Sequence, residues 1–581
     1  MVRKLRTAVL VVHGMGSQRP LETVRGVINA VWFDDDDHNK GSKKLWSHPE
    51  PSGVDLDLTV MTTNEIPGTV DGRSADFHEL YWAHLMSETK AVAVLLWLFE
   101  LARRGPNLKT GMNGLWWCGA IYLCLLLLAV SLLTLQAVIW LTGIAGEPQK
   151  IAFVVGLMLL IGVAAGLVAA LWYRYWKLFG ALIVVLAAMI VGARWIDSID
   201  AIALARWVNA FIVPGIALLA ASLVMKRWGR RVFAVTYGLS LAFLAIVSLK
   251  QNVPFWANIA AHFNEADLPW GIPSQPSTIA AICIIAVYVL INAAFLQPYL
   301  GDAARYFRNS PANVAVRREI RKEAVKTLDQ LHRSRDYDRI VVVAHSLGTV
   351  VAYDMLRAYY SRICDQIPIN KTRLDPEFSL VDNGQPSLAS TRAAGRQLIS
   401  KMASASAVLA PAARTDPYKP VKSEEVDAWL VTDFVTLGSP LTHARYFMTN
   451  DDDGERLDQD FQDQVRERAL PTCPPQKLNG DGLVSFTDPN GKIRLHHGGM
   501  FAMTRWTNLF FPIISIFWGD AIGGPMQKVF GDYVEDVPIS TKTDGGTRFF
   551  AHIAYWKTDC PEKRQAPHLA SLIEAINLRD S

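Results

Sequence analysis

Ser346 stands in Ala344-His345-Ser346-Leu347-Gly348, between a continuous β-branched run from Ile340 to Val343 and a helical pattern begun by Val350, Val351, Tyr353 and Met355. A serine between small residues, at a sharp turn from strand to helix, is a nucleophile elbow. The turn is tight, so the positions two before and two after the serine must be small. Ala344 and Gly348 supply that, with Ala where Gly is usual. The turn lifts the hydroxyl to the carboxyl edge of the sheet. The helix N-terminus beneath it points N–H groups at the place where an oxyanion forms. Taken alone, the stretch also reads as an ordinary strand-to-helix turn around a buried serine.

A serine hydroxyl is a poor nucleophile at neutral pH and needs a histidine base, which in turn needs a carboxylate to fix its tautomer. Asp520 follows an apolar segment in the Gly-rich turn 519–525, where an acid after a strand belongs; Asp532 and Asp536 are its rivals. His552 lies in the late aromatic segment 549–556, before a closing helical pattern at 569–578; His496 and His497 are its rivals. His345, beside the serine, reads as packing or elbow support. The segment 7–12 is a buried-strand pattern that runs into His13-Gly14-Met15-Gly16. These glycines let backbone approach a substrate, so an N–H near Met15 can meet a developing negative charge together with that of Leu347. No metal and no cofactor is needed for acyl transfer by this route, and no Walker loop, dinucleotide fingerprint, kinase motif or HExxH is present.

His13-Gly14-Met15-Gly16, Ala344-His345-Ser346-Leu347-Gly348, Thr436-Leu437-Gly438-Ser439-Pro440 and the stretch holding Trp506, Asn508 and Asp520 together resemble lipase-type α/β-hydrolases. Within that superfamily the motifs look most like those of membrane serine esterases and the GPI-inositol-deacylase-like group. The resemblance covers the two polar segments of the chain and not the apolar region between them. It implies the α/β-hydrolase fold, a mostly parallel sheet with flanking helices. It also implies the chain order Ser, acid, His, hence a triad of Ser346, Asp520 and His552 with Met15 and Leu347 at the oxyanion. The activity implied is hydrolysis of an ester or thioester, of a lipid or other apolar acyl substrate. The rival from another class is a non-catalytic membrane receptor or scaffold with a hydrolase-like domain; a transporter is a weaker third.

The elements that must position these residues are split by hydrophobicity. Of 581 residues, 51% are hydrophobic and 19% charged, and the net charge of +4 is too small to argue for nucleic acid as a partner. The six cysteines are scattered without CxxC spacing, which suits a reducing compartment and offers no zinc ligands. The N-terminus lacks a signal-peptide pattern and reads as a first strand. Residues 1–90 read as the first part of the hydrolase domain, 91–116 as an interfacial helix (91–101) and linker, and 301–581 as the second part. A polar segment at 365–425 is a possible lid.

Between them, 117–300 holds six apolar runs, at about 117–142, 151–172, 178–193, 207–225, 232–249 and 278–296, most of them long enough for membrane spans. They predict a six-helix transmembrane insertion and an integral, multi-pass protein in contact with membrane lipids. Six is even, as the shared sheet requires. Arg103, Arg104, Lys109, Arg174, Lys177, Lys226, Arg227, Arg230, Arg231 and the cluster at 305–322 outweigh Lys150, Arg194, Arg206 and Lys250 in the alternate loops. That bias predicts cytoplasmic hydrolase segments. The runs hold no paired acids, which leaves a transport pathway with little support. The acidic run Asp34 to Asp37 reads as a solvated loop.

Overall fold

The computed structural model describes residues 5–15, 19–31, 45–49, 59–63, 74–86, 306–307, 311–334, 336–364, 381–383, 396, 429–448, 454–478, 481–513, 518–520, 522–541, 551–557 and 566–578. The chain divides into two compact units, one of residues 1–90, 109–114 and 298–581 and one of residues 91–108 and 115–297. Every described residue belongs to the first.

In chain order the described strands are β1 (Arg6–Val12), β2 (Leu45–Pro49), β3 (Thr59–Thr63), β4 (Ser74–Leu80), β5 (Arg339–His345), β6 (Val431–Leu437), β7 (Ser485–Thr487), β8 (Ile493–Leu495), β9 (Arg505–Phe510) and β10 (Val534–Pro538). Eight of them form one sheet in the order β10-β9-β6-β5-β1-β4-β3-β2, while β7 and β8 make a separate hairpin. The pairs β4–β1, β1–β5, β5–β6, β6–β9 and β9–β10 are parallel, and β3 runs antiparallel to both its neighbours. Both faces of the centre are covered, which is why β1 and β5 are apolar without alternation. In β1, Ala8, Leu10 and Val12 enter one core while Val9 and Val11 enter the other. In β5, Ile340, Val342 and Ala344 share the first core, and Val341 and Val343 the second.

Two helices build the first core. Helix α2 (Pro311–Arg333) presents Ile320, Ala324, Leu328 and Leu331, spaced by three and four residues, to the sheet. Helix α3 (Leu347–Cys364) follows the elbow and buries Val350, Val351, Tyr353 and Tyr360. On the opposite face lie α1 (Glu22–Val31), with Val24, Val27 and Ile28, and α4 (Pro567–Ile576), with Leu569, Leu572 and Ile576. Helix α4 ends on charge. Arg339 donates to the carbonyls of Ile576 (3.2 Å) and Asn577 (3.0 Å), and Arg505 to that of Ala575 (2.9 Å). Cations at a helix C-terminus oppose its dipole. Asp433 on β6 pairs with both arginines, at 3.1 and 2.8 Å, and Glu535 lies 4.0 Å from Arg505, so two carboxylates face the two guanidinium groups.

The sheet carries α/β architecture, but the expected six-helix transmembrane insertion is corrected here. Among the described residues no helix is long and apolar enough to cross a membrane. The reason is compositional. Helix α2, with 23 residues, has the length but carries Arg317, Arg318, Arg321 and Lys322. Helix α3 carries Asp354, Arg357 and Arg362. The six apolar runs, the interfacial helix at 91–101 and the run Asp34 to Asp37 lie outside the described residues. So does most of the possible lid at 365–425. From that segment the structure describes 381–383, where Asp382 accepts from Val484 N (3.0 Å) and Ser485 Oγ (2.7 Å), and Arg396, which donates to Met503 O (2.7 Å).

Leu328 is fully buried between α2 and the sheet. Leu328→Ala is expected to lower stability by about 2–5 kcal/mol through lost burial and the cavity left behind. Chemical denaturation of the full chain measures this, and a loss below about 1 kcal/mol contradicts the packing described.

Candidate active site

The two central strands set the site. Val12 of β1 lies opposite Ala344 of β5, so the loops after both strands emerge together at the carboxyl edge. There the connectivity divides: from β1 the sheet extends to β4, and from β5 to β6. Crevices at such a switch point are where open α/β sheets bind ligands.

Ser346 has φ +53°, a left-handed conformation uncommon for a residue with a Cβ. It is held there from two sides. Its N–H donates to Leu437 O at the end of β6 (2.9 Å), and its carbonyl accepts from Thr349 N (3.0 Å) and Thr349 Oγ1 (2.7 Å). Ser439 Oγ in turn lies 2.7 Å from Thr349 Oγ1, which ties the elbow to the loop after β6. Close approach explains the two glycines. A Cβ at Gly348 would collide with the carbonyls of Val12 and His13. One at Gly14 would stand 2.8 Å from His345 Nδ1 and 2.9 Å from Ser346 Cβ. The loop after β1 therefore lies directly against the elbow. Met15 follows Gly14, and Leu347 is the first residue of α3; Gly16 is outside the described residues.

His13 secures that loop. Its Nδ1–H donates to Gly14 O (2.8 Å), its Nε2 accepts from Trp82 N (3.0 Å), and its carbonyl accepts from Trp82 Nε1 (3.0 Å). The ring stacks on Trp82 with centroids 5.1 Å apart. Both ring nitrogens are thus committed to the neutral form, and burial lowers this imidazole to about 4.

The structure brings together Ser346, His552 and Asp520. His552 Nε2 is 2.8 Å from Ser346 Oγ. His552 Nδ1 is 3.0 Å from each oxygen of Asp520. Because a carboxylate only accepts, Nδ1 carries the proton and Nε2 is left to accept from the serine hydroxyl. Asp520 is buried and also accepts from Ile522 N (2.8 Å), Gly523 N (3.0 Å) and Tyr555 Oη (2.7 Å). Burial alone would raise its carboxyl. The charge and hydrogen bond of His552, then the Gly523 N–H and Tyr555, outweigh that and hold it well below the usual carboxylate range. The arrangement is therefore an ionised acid, an oriented imidazole and a hydroxyl in line. Such a set withdraws a proton from oxygen as that oxygen attacks carbon.

The rivals are otherwise engaged. Asp536 accepts from Asn508 Nδ2 (2.7 Å), Met526 N (2.8 Å) and Gln527 N (2.9 Å), which starts the short helix Gln527–Phe530. Asp532 lies in the turn before β10, and His497 in the turn after β8. His496 Nε2 donates to Leu483 O (2.7 Å) in a buried hairpin contact. Tyr555 escaped the sequence reading; its signal is its position three residues after His552, which one turn carries back to the same acid. Asn508 supports the acid loop by donating to Gly524 O (2.9 Å). Neither a family model, nor a curated protein, nor a solved structure matches this chain.

The buried imidazoles give the fold an acid limit. Burial lowers His13, His332 and His496 to about 4 and His345 to about 3. Unfolded imidazoles titrate near 6.5, so between about pH 6.5 and 4 the unfolded chain binds more protons and stability falls as pH drops. Each contributes up to about 1.4 kcal/mol per pH unit in that window. Glu79, raised by burial to about 7, works in the opposite sense over the same range and offsets about one of them. The thermal midpoint is expected to fall steeply from pH 7 to pH 5; a flat or rising midpoint contradicts the neutral burial of these rings.

Proposed function

We propose that this chain is a serine hydrolase that cleaves an ester or thioester through an acyl-enzyme. The observation that carries the reading is the unbroken chain of hydrogen bonds from Asp520 through His552 to a serine in a left-handed elbow. Ser346 Oγ attacks the carbonyl carbon while His552 Nε2 takes its proton. The carbonyl oxygen becomes an oxyanion, met by the N–H groups of Leu347, at the start of α3, and of Met15. Collapse expels the alcohol or thiol, which receives the proton from His552. Water then repeats the sequence on the acyl-serine, with His552 again as base, and releases the acid. Asp520 stays ionised throughout and stabilises the imidazolium. The buried setting strengthens each of these interactions.

An apolar acyl substrate is favoured by the surface beside the triad. Ile553, next to the base, is 43% exposed, and Trp518, two residues before the acid, is 49% exposed. Exposed large apolar side chains on the segments that carry the base and the acid support a lipid-like or long-chain ester over a small polar one.

Ser346→Ala is expected to lower ester hydrolysis by about three orders of magnitude or more while the thermal midpoint holds. Tyr555→Phe is expected to lower kcat by about tenfold with KM little changed, since it removes one hydrogen bond to a charged acid that keeps its others. Assay against p-nitrophenyl esters of graded chain length measures both. Full activity in Ser346→Ala contradicts the mechanism, and a preference for short, water-soluble esters contradicts the substrate class.

A further inference from the structure

Residue 345 separates the central strand from the nucleophile, and its side chain does more than fill space. His345 Nε2 lies 2.8 Å from the carbonyl oxygen of His552. A carbonyl only accepts, so Nε2 carries the proton and donates it. The ring is edge-on to Trp556, with centroids 4.7 Å apart and planes at 80°, and 5.0 Å from the ring of His552. Its other nitrogen, Nδ1, is buried without a hydrogen-bond partner and faces Gly14, where a Cβ would come within 2.8 Å. One ring thus touches the loop after β1, the elbow and the turn that bears the base.

That turn needs an anchor. Ala551–Ile553 is a single 3-10 turn. Among the described residues its backbone is tied by Ala551 N to Gly519 O (3.1 Å) and by Ala554 N to Ala551 O (2.9 Å), and neither bond reaches β5. The side chain of His552 meets Ser346 through the catalytic hydrogen bond, which must break and reform in each turnover. The bond from His345 is made to the backbone of the same residue, from the end of an interior strand paired on both sides, and takes no part in proton transfer. We propose that His345 is the positioning residue for the base: its Nε2–H fixes the backbone of His552, and so sets where the imidazole stands relative to Ser346. Burial, and then the neighbouring His552, lower the His345 imidazole to about 3, so it remains a neutral single donor at any pH where the fold survives.

The inference rests on the serine hydrolase reading for its consequence, but its geometry can be read without activity. Gln reaches as far as Nε2 and offers an N–H there; Asn ends near Nδ1; Leu offers no donor. Hydrogen exchange of the full chain, followed by mass spectrometry, is compared for wild type, His345→Gln, His345→Asn and His345→Leu. In parallel, the rate of covalent labelling by a fluorophosphonate is measured. The Leu and Asn variants are expected to raise exchange of the segment 551–557 by about tenfold, the scale of one lost hydrogen bond, and to slow labelling by at least as much. Gln is expected to restore both. Wild-type exchange at 551–557 in His345→Leu overturns the proposal. So does an increase spread over the whole chain and equal in all three variants, since that is the mark of a packing role. If wild type is not labelled at all but exchange follows the expected pattern, the serine hydrolase reading fails and the positioning role stands.

Discussion

The parallel pairing of β1 with β5 is the constraint on which the rest depends. The two strands lie far apart in the chain, with more than three hundred residues between Val12 and Ala344, yet they are neighbours in register. Each is apolar on both faces, so neither has a stable place at a sheet edge, and burial drives both to the centre. Once they are paired, the loop that holds Met15 and the elbow that holds Ser346 have to leave the sheet at one point. Gly14 and Gly348 then follow as consequences, because any side chain there would enter the space of the other loop. The proposed oxyanion donors stand on neighbouring loops because the two strands are neighbours.

Electrostatics divides the sheet into two ends with different tasks. At the amino ends of β5 and β9, Arg339 and Arg505 meet Asp433 and the last carbonyls of α4, and every charge is balanced by a neighbour. At the carboxyl ends the balance is left unequal. Asp520 is held ionised by N–H and O–H donors and by one imidazole, with no arginine or lysine among its hydrogen-bonding partners in the described residues. A cation there would satisfy the acid and leave nothing to draw a positive charge onto His552 during reaction. The same logic accounts for the neutral burial of His13 and His345. Both orient backbone beside the triad, and a proton on either would compete with His552 for the field of Asp520.

The elbow was legible because several signals coincide within sixteen residues, 340 to 355: a β-branched run, small residues on either side of a serine, then helical periodicity. Segment 7–12 was legible as a buried-strand pattern that runs into glycines. The acid was harder. Asp520, Asp532 and Asp536 are all short acids near turns, and only the path of the loop decides among them. Asn508 anchors Gly524, which turns Asp520 inward, while Asp536 is consumed by the backbone of Met526 and Gln527. No spacing rule carries that information. Tyr555 was hidden in the same way, since its hydroxyl becomes a partner only when the turn at 551–553 folds back on the acid. The six-helix insertion rested on the apolar runs between 117 and 300, which lie outside the described residues; among the described residues no helix is long and apolar enough to cross a membrane, since α2 and α3 both carry charged residues.

Ser346 is 2% exposed and His552 9%, so a probe that reacts with serine must reach a nearly closed site and find the hydroxyl activated. The most direct measurement is peptide mapping of the folded full chain after reaction with an alkyl fluorophosphonate, which is inert toward ordinary serines. A single adduct on Ser346, lost when the protein is unfolded before exposure, is the result this geometry requires. No adduct in the folded protein, or an adduct on Ser439 in place of Ser346, would contradict it.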